Sequence, residues 1–257
     1  MKTNLKYITY QSFPSAKANT IQTIDNVNYL TKYFQVELIF PLREKESSDR
    51  KDNFIQYYDI EESVTLRGIA HKYPFGKIKY FESLFFLISH FLWAKKYVKK
   101  IDDSINDNFF TRSDWIFYFL SQKNKNVTFE CHQLSKIRRF VMRQAINKPN
   151  SKIIFLNNLL MQDSKLNLIK HKNKLIVLHN GVDEKLFAQN VKKDENKVIF
   201  IGNLKRFNKS RNLEFFISAF SKSNMPNNLT FTIIGHPKNE IEKLKKFVKK
   251  NKLEKKI

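Results

Sequence analysis

A histidine follows one predicted strand, and a group of three cations follows another. Both could take part in chemistry. His132 closes the predicted strand over residues 127–131. α/β proteins place functional groups at such positions, and an imidazole there can donate or accept a proton. Lys205, Arg206 and Lys209 precede a predicted helix, whose N-terminus favours a bound phosphate. The alternatives are a core or surface histidine in the first case and a solvated basic loop in the second.

The elements that position these residues alternate between strand and helix. Strands are predicted at residues 6–10, 36–40, 109–112, 127–131, 152–156 and 175–179, and helices at 18–33, 82–99, 114–121, 137–146 and 161–170. Residues 43–73 carry weak signals. Because the carboxyl ends of parallel strands meet at one edge, this alternation predicts an α/β fold with His132 and Asn180 at that edge.

A polar segment over residues 191–196 separates a second series of elements. That series consists of a strand at 198–201, a helix at 212–220, a strand at 229–234 and a helix at 240–251. The sequence therefore predicts a Rossmann-like parallel-sheet domain over residues 1–189. An incomplete second Rossmann-like domain follows over residues 190–257.

Charge and cysteine content limit the function classes. The formal net charge of +23 fits nucleic acid, an anionic membrane or anionic small molecules as partners. No zinc finger, recognition helix or RNA-binding aromatic motif accompanies it, so we expect no nucleic acid partner. Cys131, the only cysteine, excludes a disulfide framework and a cysteine-rich metal site within one chain. The longest apolar run, residues 84–93, is too short to span a bilayer.

Five short segments, in this order, resemble family 4 glycosyltransferases. Residues 14–22, PSAKANTIQ, resemble an S-x-x-A-N-x-x-Q loop, and Thr111-Arg112-Ser113 stands at a strand end. Phe129-Glu130-Cys131-His132 resembles an aromatic-Glu-x-His strand end. Residues 179–187, beginning His-Asn-Gly-Val-Asp, resemble H-N-G-V-D-x-x-x-F. Residues 198–204, followed by Lys209 and Ala219-Phe220, resemble the G-x-L…K-G…A-F start of the donor-binding domain.

The resemblance implies the GT-B arrangement, in which two Rossmann-like domains face a cleft. It also implies transfer of a sugar from a nucleotide-sugar donor to an acceptor, usually with retention at the anomeric carbon. His132 is then the catalytic residue that contacts the donor sugar. The resemblance places donor binding at Gly202, Asn203, Arg206 and Lys209, and the acceptor side or cleft at Ser15, Asn19, Gln22, Arg112, Asn180 and Gly181.

The residues also bear on cofactors. No Asp-x-Asp stands at a suitable position, so basic side chains and backbone N–H groups must offset the charge of the departing diphosphate. The sequence therefore predicts a metal-independent site. It predicts no cofactor, because the nucleotide sugar is a substrate. The expected acceptor is a glycan, lipid-linked or part of a cell-surface polysaccharide.

Location and completeness give further expectations. Residues 80–100 mix aromatic residues with lysines, which suits an anionic membrane surface, although a core-facing helix is the commoner explanation. We expect a cytoplasmic protein, peripheral at the inner face of the membrane where such contact forms. The family's donor domain continues to a Glu-x7-Glu motif, and this sequence ends before it. We therefore expect a truncated chain with little transfer activity alone. The alternatives are a non-catalytic binding module and a basic nucleic-acid-binding protein.

Overall fold

The computed structural model of this chain describes residues 2–15, 17–43, 47–71, 82–101, 107–181, 192–206, 209–222, 226 and 228–257. The chain forms two compact units, Met1–Gly181 and Val182–Ile257. The sequence analysis places the domain boundary between residues 189 and 190. Because residues 182–191 lie outside the described residues, that boundary stays a prediction.

A seven-stranded sheet forms the centre of the first unit. Its strands are β1 (Thr3–Ile8), β2 (Phe34–Leu42), β3 (Thr65–Ala70), β4 (Asn108–Thr111), β5 (Asn126–Cys131), β6 (Ser151–Phe155) and β7 (Leu175–Val177). The order is β3-β2-β1-β4-β5-β6-β7, and every pairing is parallel. The predicted α/β fold with a parallel sheet is therefore confirmed. All carboxyl ends lie at one edge, including those that precede Arg112 and His132.

The helices follow the strands, and three of them begin at polar side-chain caps. In the first unit they are α1 (Ala18–Leu30), α2 (Lys51–Tyr58), α3 (Glu82–Lys99), α4 (Asp114–Gln122), α5 (Lys136–Ile146) and α6 (Asn158–Asp163). The side chains of Ser113, Ser135 and Asn157 each accept a hydrogen bond from the backbone N–H three residues later, which caps α4, α5 and α6. Among the described helices, none is long and apolar enough to cross a membrane.

Side-chain alternation along the central strands creates two cores. Tyr7 of β1 belongs to a buried cluster that includes Ile24 of α1 and Phe54 of α2. Its neighbour Ile8 belongs to a second cluster, which includes Phe117 of α4 and further residues of α3 and α5. Because successive side chains of a strand point to opposite faces, the two clusters cover the two faces of the sheet.

The structure differs from the sequence-based expectations in two places. Residues 43–73 contain α2 and β3, whose signals are weak because α2 buries only Phe54 and β3 is an edge strand without a fully buried residue. The helix predicted at 161–170 is instead α6, which begins earlier. The Asn157 cap starts α6, and a left-handed residue at Lys165, with φ of 59°, lies in the turn just beyond its end.

The second unit is built on a parallel pair of strands, β8 (Lys197–Asn203) and β11 (Thr230–His236). Between them lie a short antiparallel hairpin, β9 (Lys205–Arg206) with β10 (Lys209–Ser210), and the helix α7 (Leu213–Lys222). The helix α8 (Lys238–Lys250) follows β11. One buried cluster joins α7, β11 and α8 through side chains such as Ile217, Phe231 and Leu244.

Gly235 allows the loop after β8 to cross the end of β11. A Cβ at this position would lie 2.3 Å from the carbonyl oxygen of Gly202 and 3.0 Å from Leu204 Cδ2. The same crossing is fixed by a 2.8 Å hydrogen bond from the Leu204 N–H to the His236 carbonyl. A larger residue at 235 would therefore displace the segment that leads into β9.

We predict that Gly235→Ala destabilises the second unit by about 1–3 kcal/mol, the usual cost of overpacking a tight site. Amide hydrogen exchange of β8 and β11 measures this directly, because it reports the local opening of these strands. Gly181→Ala is the matched control, since a Cβ there meets nothing within 4 Å. Unchanged exchange of β8 and β11 in Gly235→Ala would contradict the close packing.

Candidate active site

The strand order of the first unit creates a switch point between β1 and β4. From β1 the chain proceeds outward to β2 and β3, and it then returns to β4 on the other side of β1. Ligands of open parallel sheets bind outside the carboxyl ends of the strands at such a point. Arg112 directly follows β4, and Gln11 lies just beyond β1.

Arg112, Glu130 and His132 form a connected group at this edge. Arg112 Nε donates to Glu130 Oε2 at 2.8 Å, and Arg112 Nη2 donates to Glu130 Oε1 at 3.3 Å. His132 Nε2 lies 2.9 Å from Glu130 Oε1, without hydrogen-bond alignment. The side chains of Arg112 and Glu130 are only 10% and 9% exposed, whereas that of His132 is 27% exposed. The imidazole is therefore the member of the group that a substrate can reach.

Glu130 carries a negative charge in this group. Burial raises the pKa of its carboxyl, but the contacts with His132 and Arg112 outweigh burial and leave the pKa below its usual range. A forked guanidinium matches a carboxylate with two parallel donors, which is the arrangement seen here. An ionised Glu130, held by Arg112, therefore lies in contact with the His132 ring.

The start of α1 contributes polar side chains to the same group. Arg112 Nη1 lies 3.4 Å from both Gln22 Oε1 and Thr23 Oγ1, and it donates to each. Thr23 Oγ1 in turn donates to Gln11 Oε1 at 2.9 Å and to the Asn19 carbonyl at 2.9 Å. The structure therefore brings the predicted residues Arg112, His132, Gln22 and Asn19 together, with Asn19 joining through its backbone.

Ser15 lies in the loop before α1, and its backbone bonds to side chains of α2 and α1. Tyr58 Oη donates to the Ser15 carbonyl at 2.8 Å and also accepts from the Ser15 N–H. Thr20 Oγ1 donates to the same carbonyl at 2.7 Å. Ser15 thus anchors the loop through its backbone.

Asn180 and Gly181 lie elsewhere on the sheet. They follow β7, an edge strand separated from β5 by β6, and both residues are exposed. Both residues lie beyond the carboxyl end of a strand, as predicted. The sheet order, however, sets them apart from Arg112 and His132.

The predicted donor-binding residues belong to the second unit. Gly202 and Asn203 end β8, and Asn203 Oδ1 accepts a 3.1 Å hydrogen bond from the Lys205 N–H. The β9–β10 hairpin pairs the backbones of Arg206 and Lys209 directly opposite each other. The side chains of Arg206 and Lys209 lie outside the described part of the structure, so their role stays a prediction.

Lys205, the third cation of the predicted phosphate loop, has an acidic partner. Its Nζ lies 2.8 Å from Glu240 Oε1, and Lys243 Nζ lies 2.9 Å from the same oxygen. Glu240 is in the first turn of α8. Lys205 therefore ties the loop after β8 to α8, a contact that its sequence position does not reveal.

A second polar network, on the other face of the sheet, supports Arg112. His90 Nε2 lies 2.5 Å from Ser113 Oγ, and the His90 ring stacks on Tyr10 at 4.4 Å between centroids. Burial, followed by the charge of Arg43, lowers the pKa of His90 to about 3, so this imidazole is neutral. Ser113 Oγ also accepts the Ile116 N–H at 3.3 Å, so it links His90 to the first turn of α4. This network holds the turn that contains Arg112.

Sequence reasoning missed several members of these networks. Tyr7 is fully buried below Arg112, and burial raises its pKa to about 12 although the guanidinium charge acts in the opposite direction. Gln11 and Thr23 hold the contacts around Arg112. The sequence shows His90 only as part of an aromatic helix, and nothing in it indicates a contact with Ser113. The described residues contain no cluster of three or more His, Cys, Asp or Glu side chains suited to a metal ion.

Comparison with known proteins gives a likeness in structure. No protein-family model matches the chain, and no curated protein matches it. Among solved structures, the chain is similar to the crystal structure of a glycosyltransferase from Rickettsia africae ESF-5, with a TM-score of 0.62. The alignment covers 99% of this chain and 67% of that chain at 15% sequence identity. At this identity the likeness establishes the fold.

We predict that Arg112→Met destabilises the first unit by about 3–5 kcal/mol, because it leaves the buried Glu130 carboxylate without its cation. The double variant Arg112→Met/Glu130→Gln should recover most of this loss, since it removes the stranded charge. The free energy of unfolding of each variant is measured by urea unfolding. Tryptophan fluorescence reports on the first unit, because Trp93 and Trp115 both belong to it.

Arg67→Met is the control for this pair. Arg67 lies 3.6 Å from Glu37, and its side chain is 57% exposed. An exposed pair contributes about 0–1 kcal/mol, so the control should change stability little. If Arg112→Met were as mild as Arg67→Met, Glu130 would not depend on Arg112 for its charge.

Proposed function

We propose that this chain is a glycosyltransferase that moves a sugar from a nucleotide-sugar donor to a glycan or lipid-linked acceptor. One observation carries the proposal: Arg112, Glu130 and His132 meet at the carboxyl edge, beside the switch point of the sheet. The likeness in fold to a solved glycosyltransferase supports it. So does the resemblance of the sequence motifs to bacterial family 4 enzymes, which act in polysaccharide assembly.

In this proposal the second unit binds the donor diphosphate. Gly202 and Asn203 stand at the carboxyl end of β8, and the β9–β10 hairpin that follows carries Arg206 and Lys209. Backbone N–H groups and cations at such a position offset the charge that develops on a departing diphosphate. This assignment needs no metal ion, and the nucleotide sugar itself is a substrate.

The first unit then supplies the acceptor side and the catalytic histidine. His132 contacts the donor sugar, and Glu130 and Arg112 act as positioning residues because they hold the imidazole in place. The acceptor approaches along the loop and helix that contain Ser15, Asn19 and Gln22. Asn180 and Gly181 contribute at the end of β7.

In this proposal the sugar is transferred with retention of configuration at the anomeric carbon. The bond between the anomeric carbon and the diphosphate oxygen breaks, and its electron pair leaves on the diphosphate. The acceptor oxygen bonds to the same carbon from the same face, and its proton leaves on the departing phosphate. A positioned imidazole beside the sugar stabilises the positive charge that develops at the ring, because a preorganised dipole needs no reorientation.

A peripheral membrane contact through α3 belongs to the same proposal. Leu84, Leu87 and Ile88 are 51%, 39% and 46% exposed, and their spacing places them on one face of the helix. Exposed Lys96 and Lys99 follow toward its end. Apolar side chains with flanking lysines suit the surface of an anionic membrane. We therefore propose that the protein works at the inner face of the membrane, where a lipid-linked acceptor is found.

We predict that the chain binds a nucleoside diphosphate in the presence of EDTA. Lys209→Ala should weaken this binding by about 1–3 kcal/mol, the range for losing a charged hydrogen-bond partner. Lys222→Ala, which removes an exposed lysine at the end of α7, is the matched control and should leave the affinity unchanged. Calorimetry gives both values. Equal affinities of Lys209→Ala and the unmodified chain would assign Lys209 to a solvated loop.

A further inference from the structure

A groove runs between α1 and α2 on the outside of the first unit. Its volume is about 370 Å³. Ile21 and Asp25 line it from α1, and Ile55, Tyr57 and Asp59 line it from the end of α2. Ile21, Ile55 and Tyr57 are 44%, 42% and 49% exposed, so their apolar surface faces the open groove.

Hydrogen bonds hold the two walls of the groove together at two points. Tyr58 of α2 bonds to the backbone of Ser15 in the loop before α1. Asn28 of α1 donates to the Asp59 carbonyl at 3.2 Å and accepts from the Glu61 N–H at 3.0 Å. Because both contacts join α1 to the α2 region, the groove keeps its width without a ligand.

Tyr57 presents a firmly supported ring. It packs edge-on against Tyr58, with 4.7 Å between ring centroids. Tyr58 in turn contacts Phe54, which is fully buried. The exposed ring of Tyr57 is therefore a flat apolar platform fixed to the core, and binding against it costs little side-chain entropy.

The described lining of the groove lacks lysine and arginine, although the chain as a whole is basic. The chain carries a formal net charge of +23. The described residues that line the groove include the carboxylates of Asp25 and Asp59 and the amide of Gln56, and they include no lysine or arginine. Among these described residues, none offers a cation to a phosphate or another anion. The lining favours a neutral ligand whose hydroxyl groups donate to carboxylates and whose C–H surface packs on Tyr57.

We propose that the α1–α2 groove binds neutral hexose units of a glycan. Sugars combine apolar C–H faces with several hydroxyl donors, which matches a lining that contains both the Tyr57 ring and the Asp59 carboxylate. The opposite side of α1 presents Gln22 and Thr23 to Arg112. A glycan held in the groove therefore lies one helix width from the candidate active site. Its assignment as an acceptor subsite rests on the proposed function.

The test is binding of neutral linear hexasaccharides built from glucose, mannose or galactose to the ¹⁵N-labelled chain, followed by NMR. At least one of the three should shift the amide signals of α1 and α2. Hyaluronan hexasaccharide, which carries carboxylates, should not. Tyr57→Ala should weaken binding at least tenfold, because it removes the platform. Asp59→Asn should also weaken it, and Asn tolerates the left-handed backbone at 59, where φ is 55°.

Tyr33→Ala is the matched control, since Tyr33 is 58% exposed and lies outside the groove. It should bind as the unmodified chain does. The proposal is overturned if none of the neutral hexasaccharides shifts α1 and α2, or if Tyr57→Ala and Tyr33→Ala bind equally. If the chain binds a nucleoside diphosphate but no hexasaccharide, the glycan site in the groove is refuted and the proposed function stands. If it binds a hexasaccharide but no nucleoside diphosphate, the glycan site stands and the proposed function is refuted.

Discussion

The buried carboxylate of Glu130 is the constraint on which the candidate site depends. An ionised carboxylate away from water costs several kcal/mol unless a cation and hydrogen bonds compensate it. Arg112 supplies that compensation with two hydrogen bonds, and the pKa of Glu130 stays low despite burial. The pair in turn contacts His132, which remains partly exposed. The group therefore combines a buried ion pair with a reachable imidazole.

The parallel sheet brings these residues together although 18 positions separate Arg112 from Glu130. β4 and β5 are neighbours with carboxyl ends at the same edge, so the residues that end both strands meet there. α1 begins at the same edge and adds Gln22 and Thr23. On the opposite face, His90 and Ser113 hold the turn that contains Arg112. The site is thus supported from both faces of the sheet.

Much of the fold could be predicted because its strands and helices bury regular apolar patterns. The strand pattern alone predicted His132 at the carboxyl edge, whereas Arg112 and Gln22 entered the candidate site through the family resemblance. α2 and β3 were missed because each buries little apolar surface. The partners of Lys205 and His90, by contrast, lie on elements distant in sequence, and only tertiary packing brings them together. Apolar periodicity identifies the elements of a fold, whereas contacts between polar side chains depend on how those elements are arranged.

Under the proposed function, the two units bind ligands of different charge. The hairpin after β8 carries cations toward the end of a parallel strand, a position that suits a diphosphate. The groove between α1 and α2 carries carboxylates and an aromatic ring, which suit a neutral glycan. A transferase needs this division, because its donor is an anion and its acceptor offers a hydroxyl group.

The most direct test of the central claim is NMR of the histidine side chains during titration with nucleotide sugars. The chain has six histidines, and the His132→Gln variant identifies the signal of His132. If His132 contacts the donor sugar, a nucleotide sugar will shift its ring signals, and the nucleoside diphosphate without the sugar will shift them much less. This readout needs no turnover. A nucleotide sugar that binds and leaves the His132 signals unchanged would contradict the account.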